Sequence, residues 1–152
     1  MEINVPNLLG YVGVFKNIDV GILIENIYEP RFWKLIFPFE AEIEKIGVNR
    51  LFIQFKIHVL IEAEVTLVNH GRDNSGTYVI EIYTKPNKHI ERFDARIRIR
   101  ELRENQIKIG FFVQEFIPRS KILIRRKFRT MMLLRKNIRE AIGKIDDLSL
   151  IE

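Results

Sequence analysis

A period-two alternation of apolar and polar residues restricts the fold of this chain more than any other feature. It runs from Phe39 to Val113 and is interrupted only by short polar segments. Alternation of this kind is typical of β-strands that bury one face and expose the other. The interruptions are rich in residues that favour turns, and they fall at 47–49, 69–76, 85–89 and 103–106. The sequence therefore predicts a meander of about six antiparallel strands.

A helical pattern follows the strands, in the segment from Arg119 to Ile145. At 100° per residue, the apolar side chains of this segment fall within about 140° of one another. They are Leu123, Ile124, Phe128, Met131, Leu134, Ile138, Ala141, Ile142 and Ile145. Because a sheet with one apolar face needs a cover for that face, we expect one long C-terminal helix to lie across it.

The residues before the meander predict one more strand and two short helices. The segment from Leu8 to Phe15 is apolar and β-rich, which favours a first strand. A helical apolar period runs from Ile18 to Ile27, and Pro30 precedes a second short helix from Arg31 to Ile36. We therefore predict an α+β protein in which a curved antiparallel sheet of about seven strands cradles the C-terminal helix.

Length and composition set the class of protein. With 152 residues and 47% hydrophobic content, we expect residues 1–152 to form a single domain with a sizeable core. The sequence has no cysteine, which excludes disulfides and cysteine nucleophiles. The uncharged run from Ile3 to Phe15 is too short to span a bilayer, which favours a cytoplasmic location. The 25 isoleucines and only 4 alanines, with 30% charged residues, favour a thermophilic source.

Positive charge is concentrated in the C-terminal helical segment. Residues 119–145 contain 10 basic and 1 acidic residues, which gives a charge of +9. The other 125 residues contain 15 basic and 19 acidic residues, which gives −4, and the two charges sum to the net charge of +5. Such a basic face favours anionic partners, either nucleic acid or an anionic membrane surface. The residues expected to contact them are Arg125, Arg126, Arg129, Lys136 and Arg139. A solvated face without a partner is the alternative, and a homodimer is also open.

The sequence contains no motif for metal binding or nucleophilic catalysis. The histidines His58, His70 and His89 are dispersed, and none has a second ligand at the spacing of a zinc site. The segment from Gly71 to Gly76 lacks the lysine and the helix that follow a phosphate loop, and it predicts a hairpin turn. We therefore expect no metal, no cofactor and no catalytic residue of these types, which favours a protein that is not an enzyme.

The order of elements resembles the helix-grip fold of the START-like superfamily, which is also called SRPBCC. The match covers nearly the whole chain and includes the short helices around Pro30 and Trp33 and the helix that follows Phe116-Ile117-Pro118. This distribution is most similar to that of an uncharacterised START-like family of thermoacidophilic archaea. The resemblance implies a sheet wrapped around the C-terminal helix, with a cavity between them that binds lipids, sterols, polyketides or other apolar molecules.

The cavity implied by the resemblance leads to a set of predicted ligand-binding residues. Most are strand residues on the inward phase or residues of the long helix. Trp33, beside the short helices, either gates the cavity mouth or seals a small core. The set comprises Trp33, Phe55, Ile57, Tyr78, Ile80, Ile82, Phe93, Ile97, Phe111, Val113, Glu115, Phe128, Met131 and Arg135.

Three polar members of this set each have two interpretations. Arg135 lies at the edge of the apolar stripe, where it either meets a ligand head group or extends to solvent. Glu115 is in phase with the inward residues and could pair with Arg135, unless a bulge near Gly110 reverses that phase. Tyr78 either places its hydroxyl in the cavity or bonds the backbone.

Three functions follow from these observations. The first is a binding or carrier protein for an apolar or amphipathic, lipid-like small molecule held between the sheet and the C-terminal helix. The alternative is an interaction protein whose basic helix binds nucleic acid or membrane surfaces. The third is a cyclase- or hydratase-like enzyme, for which Glu115 and Tyr78 are the candidate groups. The fold alone cannot choose among them, because function resides in the site.

Overall fold

The computed structural model describes residues 9–36, 41–57, 59–103 and 106–143. Within these residues, one strand and two short helices precede six strands and two consecutive helices, which confirms the expected order. The strands are β1 (Leu9–Lys16), β2 (Ala41–Gly47), β3 (Arg50–Ile57), β4 (Val59–Arg72), β5 (Thr77–Thr84), β6 (Ile90–Arg103) and β7 (Gln106–Pro118). The helices are α1 (Val20–Ile27), α2 (Pro30–Ile36), α3 (Lys121–Arg125) and α4 (Lys127–Gly143).

The seven described strands form one curved antiparallel sheet in the order β1-β7-β6-β5-β4-β3-β2. Strands β2 to β7 pair with their neighbours in sequence, and β1 returns to pair with β7. One row across the sheet shows how the register builds the core. Leu67 lies opposite Ile82, Ile82 opposite Ala95, and Ala95 opposite Val113, and all four side chains are buried. Alternate residues therefore line a single core-facing side of the sheet.

The helices lie on the core side of the sheet. Helix α1 begins after Asp19, whose carboxylate accepts a hydrogen bond of 3.0 Å from the backbone N–H of Ile22, a typical N-cap. Helix α2 begins at Pro30, which has no N–H to leave unpaired in a first turn. Helix α2 packs on β2, and α4 packs on β1 and β7. None of the helices in the described ranges is long and apolar enough to cross a membrane.

The C-terminal helical region is divided at Arg126, which corrects the expectation of one long helix. Helix α3 starts after Ser120, whose hydroxyl accepts a hydrogen bond from the Leu123 N–H, and it ends after 5 residues. Arg126 has φ −104° and ψ 19°, outside the helical range, and α4 then continues for 17 residues. The sequence has neither glycine nor proline at this point, so its local pattern does not mark the interruption.

The side of the C-terminal helices that faces the core is narrower than the predicted stripe. Leu123 is buried as expected, but Ile124 is exposed and Phe128 is 77% exposed. Thr130, which lies about 20° from Leu123 at 100° per residue, is buried. The prediction that Phe128 belongs to the core-facing stripe is therefore wrong, because Phe128 lies at the far margin of that stripe, about 140° from Leu123.

Several predictions lie outside the residues that the structure describes. Leu8, Phe39, His58 and Ile145 are among them. Among the residues that carry predictions, the side chains of Ile57, Leu134, Ile138, Ala141 and Ile142 are also outside that description, although they lie within helices or strands.

Candidate functional site

A groove of about 640 Å³ opens between the C-terminal end of α1 and the tip of the β2–β3 hairpin. This volume lies in the range of small-molecule sites in proteins. The groove is made by three separate segments of the chain. Its lining residues are Glu25, Tyr28, Glu29, Lys45, Val48, Asn49, Leu67, Val68 and Asn69.

The floor of the groove is apolar and held firmly by the sheet. Leu67 is buried and belongs to the core. Its N–H donates to the carbonyl of Asn49 at 2.9 Å, and its carbonyl accepts from the Asn49 side-chain amide at 3.1 Å. The hairpin tip is thus tied to β4 on both sides of Leu67. The floor is therefore fixed in place by the core, and the apolar surface open to the groove comes from Val48 and Val68.

The rim of the groove is polar. Lys45 and Glu29 form an ion pair of 3.1 Å that connects β2 with the chain between α1 and α2. Tyr28 is half-buried, and burial raises the pKa of its phenol, so the hydroxyl stays neutral and can donate a hydrogen bond at physiological pH. The Glu25 carboxylate is exposed. An apolar floor below polar groups suits a molecule with an apolar body and a polar end.

This groove was not predicted from the sequence, since none of the predicted site residues lines it. Two of its walls come from segments that are distant in sequence, and their approach depends on the tertiary fold. One local signal was available. Val48 occupies a hairpin tip, where polar residues are usual, and it is 87% exposed. An apolar residue in such a position could have indicated a surface for contact.

Four predicted cavity residues are packed into the core of the sheet. Ile80, Ile82, Ile97 and Val113 are at most 3% exposed. Because almost none of their surface is open to solvent, their neighbours are other side chains rather than open space. Their contact with a ligand stays a prediction.

A second group of predicted residues is only half-buried. Phe55, Phe93, Phe111 and Met131 pack against the edge of the core cluster. Phe93 makes an edge-to-face contact with Phe116 at 6.4 Å between ring centroids. Phe111 lies opposite the buried Ile97, which places it on the core-facing side. These residues keep apolar surface on the side of the sheet that the helices cover.

Tyr78 lies on the core-facing side near one end of the sheet. It is opposite Ile99, which is fully buried, and it is itself half-buried. The guanidinium of Arg72 lies 5.3 Å from the centroid of its ring, a cation–π arrangement. The ring is thus held at the end of β5 by a neighbouring strand.

Trp33 has the packing role that was one of its two interpretations. It is 5% exposed, and its indole N–H donates to the carbonyl of Ile27 at 2.8 Å. Its ring meets Phe32 edge-to-face at 5.2 Å. These contacts fasten α2 to the end of α1, and they argue against a mobile gate.

Glu115 does not pair with Arg135. Asp94 lies opposite Glu115 while Ala95 lies opposite Val113, so Gln114 is the extra residue of a β-bulge. The phase reverses at this bulge rather than near Gly110, and the Glu115 carboxylate meets Arg92 at 3.0 Å. Arg135 is exposed on α4, as its solvent interpretation requires. An enzyme that uses Glu115 as an inward acid therefore has no support in this geometry.

Metal chemistry has no evident site in this part of the chain. Among the residues with described positions, no group of three or more His, Asp or Glu side chains could hold a metal ion.

The predicted basic face is exposed throughout, as expected, at Arg125, Arg126, Arg129, Lys136 and Arg139.

Solved structures of START superfamily proteins are similar to this fold. A START superfamily protein from Mycobacterium smegmatis matches 92% of this chain and 97% of its own length, with a TM-score of 0.54 and 13% identity. Human STARD10 matches with a TM-score of 0.50 and 11% identity, over 99% of this chain and 70% of its own. The chain thus has a START-like fold. No protein-family model and no curated protein sequence matches it.

Proposed function

We propose that this protein binds an apolar or amphipathic small molecule of lipid-like character. The groove carries the proposal, because its volume of about 640 Å³ suits such a molecule and its floor continues into the hydrophobic core. The START-like fold supports the same function, since the resemblance implies apolar ligands.

The proposed ligand lies with its apolar part along Val48 and Val68, over the floor that the buried Leu67 supports. Its polar end meets the neutral hydroxyl of Tyr28 or the amides of Asn49 and Asn69. Each buried methylene group contributes roughly 0.8 kcal/mol, so the apolar part supplies most of the affinity and the polar groups set the orientation.

The proposal also includes the side of the sheet that faces the C-terminal helices. The resemblance implies a cavity there, and Phe55, Phe93, Phe111 and Met131 keep partly exposed apolar surface on that side. We therefore retain these four as candidate contacts for the deeper part of a ligand. The buried Ile80, Ile82, Ile97 and Val113 support these four side chains, and their own contact with a ligand stays a prediction.

The neutral apolar dye N-phenylnaphthylamine provides a direct test, because its fluorescence rises when it leaves water. We expect saturable binding to the protein. The change Val48→Asp should weaken binding by roughly tenfold, since it places a charge beside the apolar part of the groove. Val48 is 87% exposed, so the substitution should leave the fold intact.

Leu60→Asp is the matched control, because Leu60 is an exposed apolar residue on β4 that does not line the groove. Equal affinity of both variants and the unchanged protein would place the dye elsewhere and contradict the groove. Absence of dye binding, together with no bound lipid in native mass spectra after incubation with a lipid extract, would contradict the function itself.

A further inference from the structure

The two C-terminal helices present an unusually dense positive charge to solvent. Residues 121–143 contain eight basic residues and one acidic residue, Glu140. All eight basic side chains are exposed. None of them forms an ion pair with another residue in the described ranges. Their charge is therefore available to an external partner.

The same surface carries exposed apolar side chains. Phe128 is 77% exposed, and Ile124, Met132 and Leu133 are also exposed. In α4, at 100° per residue, the side chains of Phe128, Met132, Arg135, Lys136 and Arg139 fall within about 100° of one another. Thr130 lies on the opposite side of α4 and is buried, and Met131, at the margin between the two sides, is half-buried. Large apolar groups and cations thus share the outward side of one helix.

The direction of the core explains why Phe128 lies on the outward side. At 100° per residue, Thr130 lies only about 20° from Leu123, and both side chains are buried. Phe128 lies about 140° from Leu123, at the far margin of the predicted stripe, and it is exposed. The arrangement exposes an aromatic ring between Lys127 and Arg129, where the positive charge is dense.

We infer that the outward side of α3 and α4 is a docking surface for an anionic lipid membrane. Phe128 and Met132 enter the boundary between head groups and acyl chains, and the surrounding arginines and lysines contact the lipid phosphates. Interfacial helices combine Lys and Arg with Phe or Leu for the same two purposes. The inference does not depend on the proposed ligand groove, which is built by α1, the β2–β3 hairpin and β4.

The mixture of side chains favours a membrane over a nucleic acid. Single-stranded nucleic acids are held by several aromatic rings on which successive bases stack. This surface offers one ring, Phe128, together with the aliphatic Ile124, Met132 and Leu133. Aliphatic side chains gain little from bases, but they gain from insertion among acyl chains. The positive charge complements the phosphates of a membrane and of a nucleic acid alike, and the exposed apolar side chains favour the membrane.

Sedimentation with vesicles tests the inference on the whole chain. We expect binding to vesicles of phosphatidylcholine mixed with phosphatidylserine and little binding to phosphatidylcholine alone. Phe128→Ala should weaken binding roughly tenfold or more through the lost apolar insertion. The double change Arg129→Gln with Lys136→Gln should weaken it about 25-fold, at roughly fivefold per charge.

Two matched controls separate these effects from general changes in charge or hydrophobicity. Leu60→Ala removes an exposed apolar side chain from the sheet, and Arg100→Gln with Lys108→Gln removes one arginine and one lysine that face each other on β6 and β7. Both should bind vesicles as the unchanged protein does. If they lose binding as strongly as the helix variants, the helices are not the docking surface.

A tryptophan at position 128 reports insertion directly. Trp33 is buried and hydrogen-bonded, so its emission should stay constant, whereas Phe128→Trp adds an exposed fluorophore. We expect a blue shift and protection from acrylamide when phosphatidylserine vesicles are added. Binding without this shift, or tighter binding to a single-stranded oligonucleotide that Phe128→Ala leaves unchanged, would overturn the membrane assignment.

Discussion

At the scale of single residues, Thr130 is a polar side chain that α4 buries in the core. The side chain is 3% exposed, and its hydroxyl oxygen has no hydrogen-bond partner within the part of the chain that the structure describes. A buried hydroxyl without a partner loses its hydration without compensation. Thr130 therefore occupies a position that an apolar side chain of the same shape would suit better.

We predict that Thr130→Val raises the free energy of unfolding by about 1 kcal/mol, because it replaces the unpaired hydroxyl with a methyl group of similar size. Urea unfolding followed by circular dichroism measures the change. Thr66→Val, on the partly exposed outer side of β4, should stay within roughly 0.5 kcal/mol and serves as the control. A loss of stability in Thr130→Val would show that the hydroxyl has a bonding role.

At the scale of elements, Phe112 shows how two strands are adapted to each other. It lies on the side of β7 away from the core, opposite Gly10 of β1 and two residues from Gly110. A methyl group at either glycine would clash with the Phe112 ring. The ring thus lies flat across the β1–β7 pair, and the two glycines provide the space for it.

We predict that Gly110→Ala lowers the free energy of unfolding by roughly 1–3 kcal/mol, since the ring must move away from the sheet. In a background that already carries Phe112→Ala, the same change should cost much less. A double-mutant cycle by chemical denaturation measures this coupling. Additive effects of the two substitutions would contradict the proposed packing of the ring on Gly110.

At the scale of the whole molecule, charges on the outer face of the sheet make stability depend on pH. Asp94 lies beside Glu81, whose carboxylate forms a hydrogen bond of 2.9 Å with the imidazole of His70. Burial, followed by the negative charge of Glu81, raises the pKa of Asp94, and the nearby Arg96 and Arg92 oppose this shift. One Asp94 carboxylate oxygen is buried without a partner among the described residues.

The raised pKa gives a signed prediction. In the folded protein, Asp94 keeps its proton to a higher pH than an ordinary aspartate, whose pKa is 3.8. The stability that comes from this protonated form is therefore complete below pH 3.8 and is lost as the pH rises through the folded-state pKa. Asp94→Asn removes this loss. We therefore expect the variant to be more stable than the unchanged protein at neutral pH, with the difference vanishing below about pH 3.8.

Denaturant unfolding at several pH values measures this difference. Glu91→Gln is the control, because Glu91 is an exposed carboxylate on the same strand and its removal changes the net charge equally. A constant difference between Asp94→Asn and the unchanged protein across the pH range would contradict the raised pKa. Equal behaviour of the two variants would assign the effect to net charge alone.

The sequence by itself determined the order of elements and the core-facing side of the sheet. Alternation at residues such as Ile80, Ile82, Ile97 and Ile99 reports burial directly, because successive side chains of a strand point to opposite faces. Pro30 and the helical period before it likewise indicated two short helices, which α1 and α2 confirm. Alternation in a strand and the apolar period of a helix are local properties, so they can be read from the sequence alone.

Only the tertiary structure decided where these regular patterns are interrupted and where a site forms. The bulge at Gln114 depends on the register between β6 and β7, and it directs Glu115 outward to Arg92. The packing of α4 buries Thr130 and leaves Phe128, at the margin of the predicted stripe, exposed to solvent. The groove forms because the hairpin tip at Val48 and Asn49 approaches the end of α1. Each feature depends on packing between distant segments, and local periodicity contains no information about that packing.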